Sequence, residues 1–347
     1  MTIRIVPFFI SHQGCPHRCV FCDQEQISGR SGSLPSGDEI RATLAASGGE
    51  PVEVAFYGGT FTSLPRADQE RLLAPLQPLR AAGLVRGVRL STRPDAIARA
   101  TASFLREMGV TTVELGVQSM DDRVLAAASR GHTAADTEHA FAVLREAGIA
   151  VGAQLMPGLP GDTPATALAS LRRVLALVPD CIRLYPTVVV AGTKLEELYR
   201  RGAYSPLTLD AAVSLCAVML RDCMAARVPV IRIGLQPTDG LASAVVAGPW
   251  HPALRQLVAG ELWYGLLERL VAGLPAGTAV ALACAPSRIS DLVGQRRRNV
   301  RRLAEAWGVT VTNVTGNATL AHDALEITHP GGTIAGTLQQ QEVASLV

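Results

Sequence analysis

The sequence predicts a (β/α) barrel, complete or partly open, over residues 1–240, followed by a small α/β C-terminal domain over 241–347. Three observations carry this prediction. Short Val/Ile/Leu-rich runs alternate with amphipathic stretches as far as residue 240, and repeated strand–helix units build parallel sheets with right-handed crossovers. The chemically loaded residues follow the strands, where barrel enzymes gather their sites. Beyond residue 240 the texture changes, with Gly240, Gly248, Pro249 and Pro252 close together.

The strands, in order, are Ile3–Phe9, Val52–Tyr57, Val88–Ser91, Thr112–Val117, Ile149–Leu155, Ile182–Tyr185 and Val230–Ile233. Most are apolar at nearly every position, as strands buried on both faces should be. Between them lie amphipathic stretches. Asp38–Ala46 is one, and Arg66–Ala82, interrupted by two prolines, is another. Ala134–Ala147 keeps Ala140, Phe141, Leu144 and Ala147 at helical spacing and stops at Gly148. In the C-terminal part, Ala279–Ala283 and Val309–Val314 read as strands, Ile289–Trp307 as helical, and the last dozen residues as peripheral. No longer period repeats.

Composition bounds the function. A chain of 347 residues holds one large domain and a small one, on a prior of about 150 residues per domain. With 32 basic and 30 acidic residues the net charge is +2, which excludes a polybasic or polyacidic protein. A hydrophobic share of 48% against 18% charged describes a globular core. Lys194 is the single lysine, so lysine chemistry has one candidate. The longest uncharged run, 270–287, contains Gly273, Pro275, Gly277 and Pro286 and reads as a turn and a strand, not a membrane span. The start, Met1-Thr2-Ile3-Arg4, is not a signal peptide. Seven cysteines, three of them within eight positions, favour metal ligation over disulfides, with the cytoplasm as the expected compartment.

Those three lie in Gly14-Cys15-Pro16-His17-Arg18-Cys19-Val20-Phe21-Cys22-Asp23, directly after the first strand. The spacing is C-x3-C-x2-C. Three thiolates can ligate three irons of a cubane cluster and leave the fourth open. A structural zinc site is the alternative. Zinc wants four ligands, the chain has no second C-x2-C pair, and His12 or a cramped His17 would have to serve. Cys181, Cys216, Cys223 and Cys284 read as small apolar groups.

On the cysteine loop, its place after strand one and the strand–helix repeat, residues 1–240 resemble the radical S-adenosylmethionine (SAM) enzymes. The resemblance implies a [4Fe-4S] cluster on Cys15, Cys19 and Cys22. Its open iron would chelate the SAM amino and carboxylate groups, and one electron would cleave SAM to methionine and a 5′-deoxyadenosyl radical that abstracts a substrate hydrogen. Phe56-Tyr57-Gly58-Gly59-Thr60-Phe61 is similar to the family's glycine motif, so Gly58, Gly59 and Thr60 would receive the SAM amino group; alone, the pair reads as a turn. Ser91 and Arg93 in Leu90-Ser91-Thr92-Arg93-Pro94-Asp95 would meet the ribose or carboxylate, unless Arg93 simply pairs with Asp95. Gln118 and Arg130, ahead of His132, would do the same. Gln154 to Gly161 would shape a loop beside the adenine, or merely turn the chain.

Phe8-Phe9-Ile10-Ser11-His12-Gln13-Gly14-Cys15, Gly-Gly-Thr-Phe at 58–61, Ser-Thr-Arg-Pro-Asp at 91–95 and Glu-Leu-Gly-Val-Gln-Ser at 114–119 resemble the subfamily of the Elongator catalytic subunit. That subfamily modifies the wobble uridine of tRNA. Its acetyltransferase half is not carried over, because the residues after 240 hold no Gln/Arg-x-x-Gly-x-Gly/Ala loop. A tRNA or other RNA nucleoside is the favoured substrate, with flavodoxin or ferredoxin as electron donor.

Two other readings stand beside it. One is the same chemistry on a small molecule or peptide, as in the porphyrin-precursor branch, whose Tyr-Ile-His-Ile-Pro-Phe-Cys pattern is lacking. The other is a zinc-stabilised RNA-binding protein without catalysis. Residues 288–302 carry six arginines against Asp291, and Val293-Gly294 to Leu303 resembles the KH module's glycine loop, with Arg297 in place of the second glycine. Arg296, Arg297 and Arg298 are therefore the candidate RNA contacts, against a plain solvated helix face. No substrate-side acid, base or radical relay is assigned; Tyr57, Tyr185 and Cys181 are candidates to reach the pocket, and burial in the core explains each equally well.

Overall fold

The computed structural model describes residues 4–28 and 33–340. Its residues form two compact units, the first comprising 1–209 and 228–252, the second 210–227 and 253–347. The expected boundary at residue 240 thus falls inside the first unit, and residues 210–227 join the second.

The first unit is built on strands β1 (Arg4–Phe9), β2 (Val52–Tyr57), β3 (Val85–Thr92), β4 (Thr112–Gln118), β5 (Ala150–Leu155) and β6 (Cys181–Leu184). A two-residue strand, β7 (Val189–Val190), leaves the sheet before β8 (Val230–Ile233) completes it, and β7 pairs antiparallel with β9 (Val245–Ala247). All seven sheet strands are parallel, in the order β1-β2-β3-β4-β5-β6-β8. Among the described residues β1 and β8 do not pair, so the barrel is partial. The reason for strands is plain: Val54, Ala55, Phe56, Val88, Leu90, Val113 and Leu115 are each fully buried, and a fully buried apolar side chain contributes about 1.5–3 kcal/mol. Ile3, expected to open β1, lies outside the described residues.

Local signals set the crossover helices. Thr133 caps Ala134–Glu146, accepting from the Asp136 N–H while the Asp136 carboxylate accepts from the Thr133 N–H. Pro164 stands in the first turn of Pro164–Ala176, where a missing N–H costs nothing. Pro75 and Pro78 cut the expected Arg66–Ala82 stretch into Arg66–Leu73, a tight turn, and Gln77–Ala81. Parallel pairing puts every strand's C-terminal end on one rim. That rim carries the site.

In the second unit the sheet runs β11-β10-β12-β13, from β10 (Ala279–Cys284), β11 (Thr310–Gly316), β12 (Ala324–His329) and β13 (Gly332–Thr337). The expected strands correspond to β10 and β11, which pair in parallel. The hairpin β12–β13 departs from the expected pair of strands: β12 alternates buried Leu325 and Ile327 with Glu326 and Thr328 over only a few residues, and β13 carries Ile334 alone among glycines, threonines and an alanine. The single helix expected over Ile289–Trp307 is overturned. It breaks into Ile289–Val293 and Arg298–Trp307, because Gly294, Arg296 and Arg297 all take positive φ. Of the last dozen residues, expected to be peripheral, 341–347 lie outside the described residues.

Candidate active site

The loop that leaves β1 turns on His12 (φ 58°) and Gly14 (φ 72°) and is laced to the turn after β2. Ile10 N–H donates to the Tyr57 carbonyl (2.7 Å), His12 N–H to that of Gly58 (3.0 Å), and Thr60 N–H to that of Gln13 (2.9 Å). The approach is too close for side chains. A Cβ on Gly14 would sit 2.3 Å from the Thr60 carbonyl oxygen, and one on Gly59 would sit 2.5 Å from both the Ile10 and Gln13 carbonyl oxygens. Glycine is needed at both positions.

A cavity of about 1170 Å³ opens beside this loop. Cys15, Cys19 and Cys22 line it, and so do Gly58, Gly59, Thr60, Ser91, Arg93, Gln118 and Arg130, every site residue expected from the sequence. Each of the three thiols meets a different polar side chain. Cys15 Sγ lies 3.3 Å from the Thr60 hydroxyl, Cys19 Sγ accepts from Arg130 Nη1 at 3.2 Å, and Cys22 Sγ accepts from Gln24 Nε2 at 3.5 Å. Burial, aided by the neighbouring thiol of Cys19, pushes the Cys22 thiol up to about 12. Among the described residues no three His, Cys, Asp or Glu side chains are gathered to hold a single metal ion. His12, one of the two histidines open to a zinc, already accepts the Gln24 N–H on Nε2 at 2.8 Å.

Arg130 sits at the centre of the arrangement. It is 7% exposed, its Nη2 donates to the Gly116 carbonyl (2.7 Å), and its Nε has no partner. Among the described residues no carboxylate neutralises it. A buried cation left in this state calls for an anion. A thiolate-bound iron cluster or the carboxylate of an amino acid would supply one, so the residues fit both groups. Arg93 differs: its guanidinium is forked onto Asp95, with Nε and Nη2 each at 2.9 Å. Gln118 ends β4 at a bulge with φ 66° and its side-chain oxygen accepts from Gln154 Nε2 (3.1 Å). His132 does not line the cavity; Nε2 meets the Val117 carbonyl at 3.2 Å, and burial, with the charges of Arg130 and Arg93, lowers its pKa to about 4.

Beside the cavity, on the barrel strands, lies a network that motif reading missed. Glu114 accepts from Arg89 Nη1 (2.9 Å), from Arg183 Nη2 (3.0 Å) and Nε, and from the Tyr57 hydroxyl (3.2 Å). Arg183 Nη1 also donates to the Tyr185 hydroxyl at 3.1 Å. Burial alone would raise the Glu114 pKa, but Arg183 and then Arg89 hold it below the usual carboxylate range. Tyr57, Tyr185, Glu114 and Arg183 line the cavity, whereas Cys181 does not. The signal was present: one charged residue in each of several otherwise apolar strands.

The third expected group divides. Arg298 is paired with Asp210 at 3.0 Å, while Arg296 and Arg297 line a separate cleft within the second unit.

A three-thiol loop on the C-terminal rim of a partial (β/α) barrel, beside a large polar cavity, defines a cofactor-dependent barrel enzyme. The chain matches the radical SAM superfamily over residues 9–174 and the Radical SAM C-terminal domain over residues 179–264. It belongs to the radical SAM superfamily of enzymes. A tRNA uridine(34) acetyltransferase of Dehalococcoides mccartyi is 31% identical over 67% of this chain and 58% of its own length. An uncharacterized protein of Methanocaldococcus jannaschii is 30% identical over 69% of this chain and 77% of its own. The archaeal Elp3 of Methanocaldococcus infernus, at 23% identity, has the same fold, with a TM-score of 0.60 over 75% of this chain and 62% of its own. The chain therefore spans just over half the length of the tRNA-modifying relative. No helix among the described residues is long and apolar enough to cross a membrane.

Proposed function

We propose that this protein is a radical SAM enzyme acting on a nucleoside of tRNA, in the cytoplasm, with flavodoxin or ferredoxin as electron donor. Cys15, Cys19 and Cys22 would hold a [4Fe-4S] cluster. When bound, the reduced cluster and SAM together supply a one-electron cleavage of the sulfonium and a 5′-deoxyadenosyl radical able to take a substrate hydrogen.

The chain's own residues bind, orient and exclude. Arg130, buried without a carboxylate, would take the SAM carboxylate while keeping its bond to the Cys19 sulfur. Gly58, Gly59 and Thr60 would receive the amino group on backbone carbonyls and a hydroxyl. Ser91, Gln118 and the unforked face of Arg93 would meet the ribose. The Glu114–Arg183–Tyr57 network, fully hydrogen-bonded, would form a rigid polar floor under the substrate. The cavity exceeds the roughly 300–1,000 Å³ of a drug-sized site, leaving room for cofactor and a flipped-out base together.

One observation carries the reading: three thiols and one uncompensated buried arginine share one wall. The tRNA assignment is supported by the Dehalococcoides relative, a tRNA uridine(34) acetyltransferase. The test is anaerobic reconstitution with iron and sulfide, then dithionite and SAM, with and without bulk tRNA. 5′-Deoxyadenosine and a changed tRNA nucleoside mass are expected. Absence of 5′-deoxyadenosine from an iron-loaded sample overturns the radical reaction, and an unaltered nucleoside profile overturns the substrate.

A further inference from the structure

Between β10 and β11 the two helices are separated by Gly294-Gln295-Arg296-Arg297. A Cβ on Gly294 would meet the Asn299 side chain at 3.0 Å, and Arg296 and Arg297 hold left-handed backbone at φ 50° and 59°. Residues with side chains seldom take that conformation twice running. The loop is fixed from within. Asn299, 2% exposed, donates to the carbonyls of Gly260 (2.8 Å) and Leu292 (3.0 Å), and Arg301 donates to that of Arg296.

The pinned loop and the edge strand β11 border a cleft of about 610 Å³. Ile289, Val293 and Val314 give it apolar wall, while Gln256 and Asn313 offer side-chain amides. Arg296 and Arg297 line it and are exposed. Three arginines of this segment are neutralised: Arg288 by Asp291 (3.2 Å), Arg298 by Asp210 (3.0 Å) and Arg302 by Glu261. Among the described residues Arg296, Arg297 and Arg301 have no carboxylate. Two free guanidiniums, forks for phosphate oxygens, thus border a small cleft whose lining combines three apolar side chains with amides and hydroxyls.

We propose that this cleft binds single-stranded RNA, with Arg296 and Arg297 on successive phosphates and an unstacked base against Val293 and Val314. The choice of RNA rests on the proposed function; the chemistry of the cleft does not. A duplex keeps its bases stacked inward and would offer this short loop phosphate alone. An unpaired strand offers phosphate, a base face for the apolar wall, and a base edge for Gln256 and Asn313.

The test uses the full chain, reconstituted but without SAM or reductant. Fluorescence anisotropy would follow a labelled strand of about ten nucleotides, within the site sizes such grooves take, its duplex, and polyphosphate of matched charge, over a salt series. The single strand is expected to bind about tenfold more tightly than the duplex and to resist polyphosphate. R296A/R297A should weaken it about tenfold and flatten the log–log salt slope by about 1.4, at roughly 0.7 for each phosphate no longer neutralised. Val314→Trp, which fills the cleft and spares both arginines, should erase the preference for single strands. Arg298→Ala should stay within twofold. Equal duplex binding, displacement by polyphosphate at matched charge, or an R296A/R297A variant with wild-type affinity would each overturn the proposal. Failure here leaves radical cleavage of SAM standing, and loss of cleavage leaves the cleft standing.

Discussion

Arginines surround both the barrel cavity and the second-unit cleft, but in opposite electrostatic states. In the barrel, Arg89 and Arg183 are tied to Glu114 and Glu53 inside a largely buried network and Arg93 is tied to Asp95, while the buried Arg130 has no carboxylate among the described residues. In the cleft, the lining arginines are exposed and the paired ones stand aside. Burying a charge removes its water, so interior guanidiniums call for an anionic partner from the protein or a ligand; exposed ones can exchange water for a ligand's phosphate. The first arrangement fits a site shaped in advance for a cofactor and the second a surface that captures a chain. Arginine count says nothing of this. Burial does.

The largest effect expected in the barrel is qualitative. Cys15→Ala, Cys19→Ala or Cys22→Ala should abolish both iron retention and 5′-deoxyadenosine formation, read by iron analysis and chromatography, whereas Cys216→Ala, a buried cysteine of the second unit, should leave both intact. Next, Glu114→Gln leaves two interior guanidiniums without their shared anion. It should cost about 3–5 kcal/mol by chemical denaturation, the range for breaking a buried pair. A loss under 1 kcal/mol would place that network in the same class as the surface.

Acid should distinguish the units as well. His132 falls from an ordinary 6.5 to about 4 in the folded first unit. The unfolded chain therefore binds more protons between those values, so its contribution is complete above about pH 6.5 and is lost as pH falls toward 4. The loss is on the order of 3 kcal/mol at about 1.4 kcal/mol per pH unit, and His132→Gln should flatten the profile measured by denaturation at pH 7 and pH 5. Smallest of all is Arg298→Ala. Its partner Asp210 is 76% exposed, and such surface pairs contribute about 0–1 kcal/mol.

The same contrast explains what the sequence disclosed. β2 and β8 match their expected spans residue for residue, because each is a short run that is apolar but for one charged residue, Glu53 or Arg232. The cavity residues were legible because they follow strands in runs of small and polar types. Glu114 and Arg183 escaped because attention to strand ends passes over a charge in mid-strand, whose partners come from strands far away in sequence. The break at residues 294–297 escaped because arginine gives no warning of left-handed backbone; Asn299 and Arg301 hold it there through contacts that only the folded chain provides. Arg298 was grouped with its neighbours because Asp210 is 88 residues away.

Every role assigned to the barrel depends on a cluster held by three cysteines with one iron open to SAM. The most direct measurement is the electron paramagnetic resonance spectrum of the reduced, anaerobically reconstituted protein before and after SAM is added. A [4Fe-4S]⁺ signal is expected, with g-values that shift on addition and with loss of the signal in Cys19→Ala. A signal indifferent to SAM, or a preparation that takes up zinc but no iron, would contradict it.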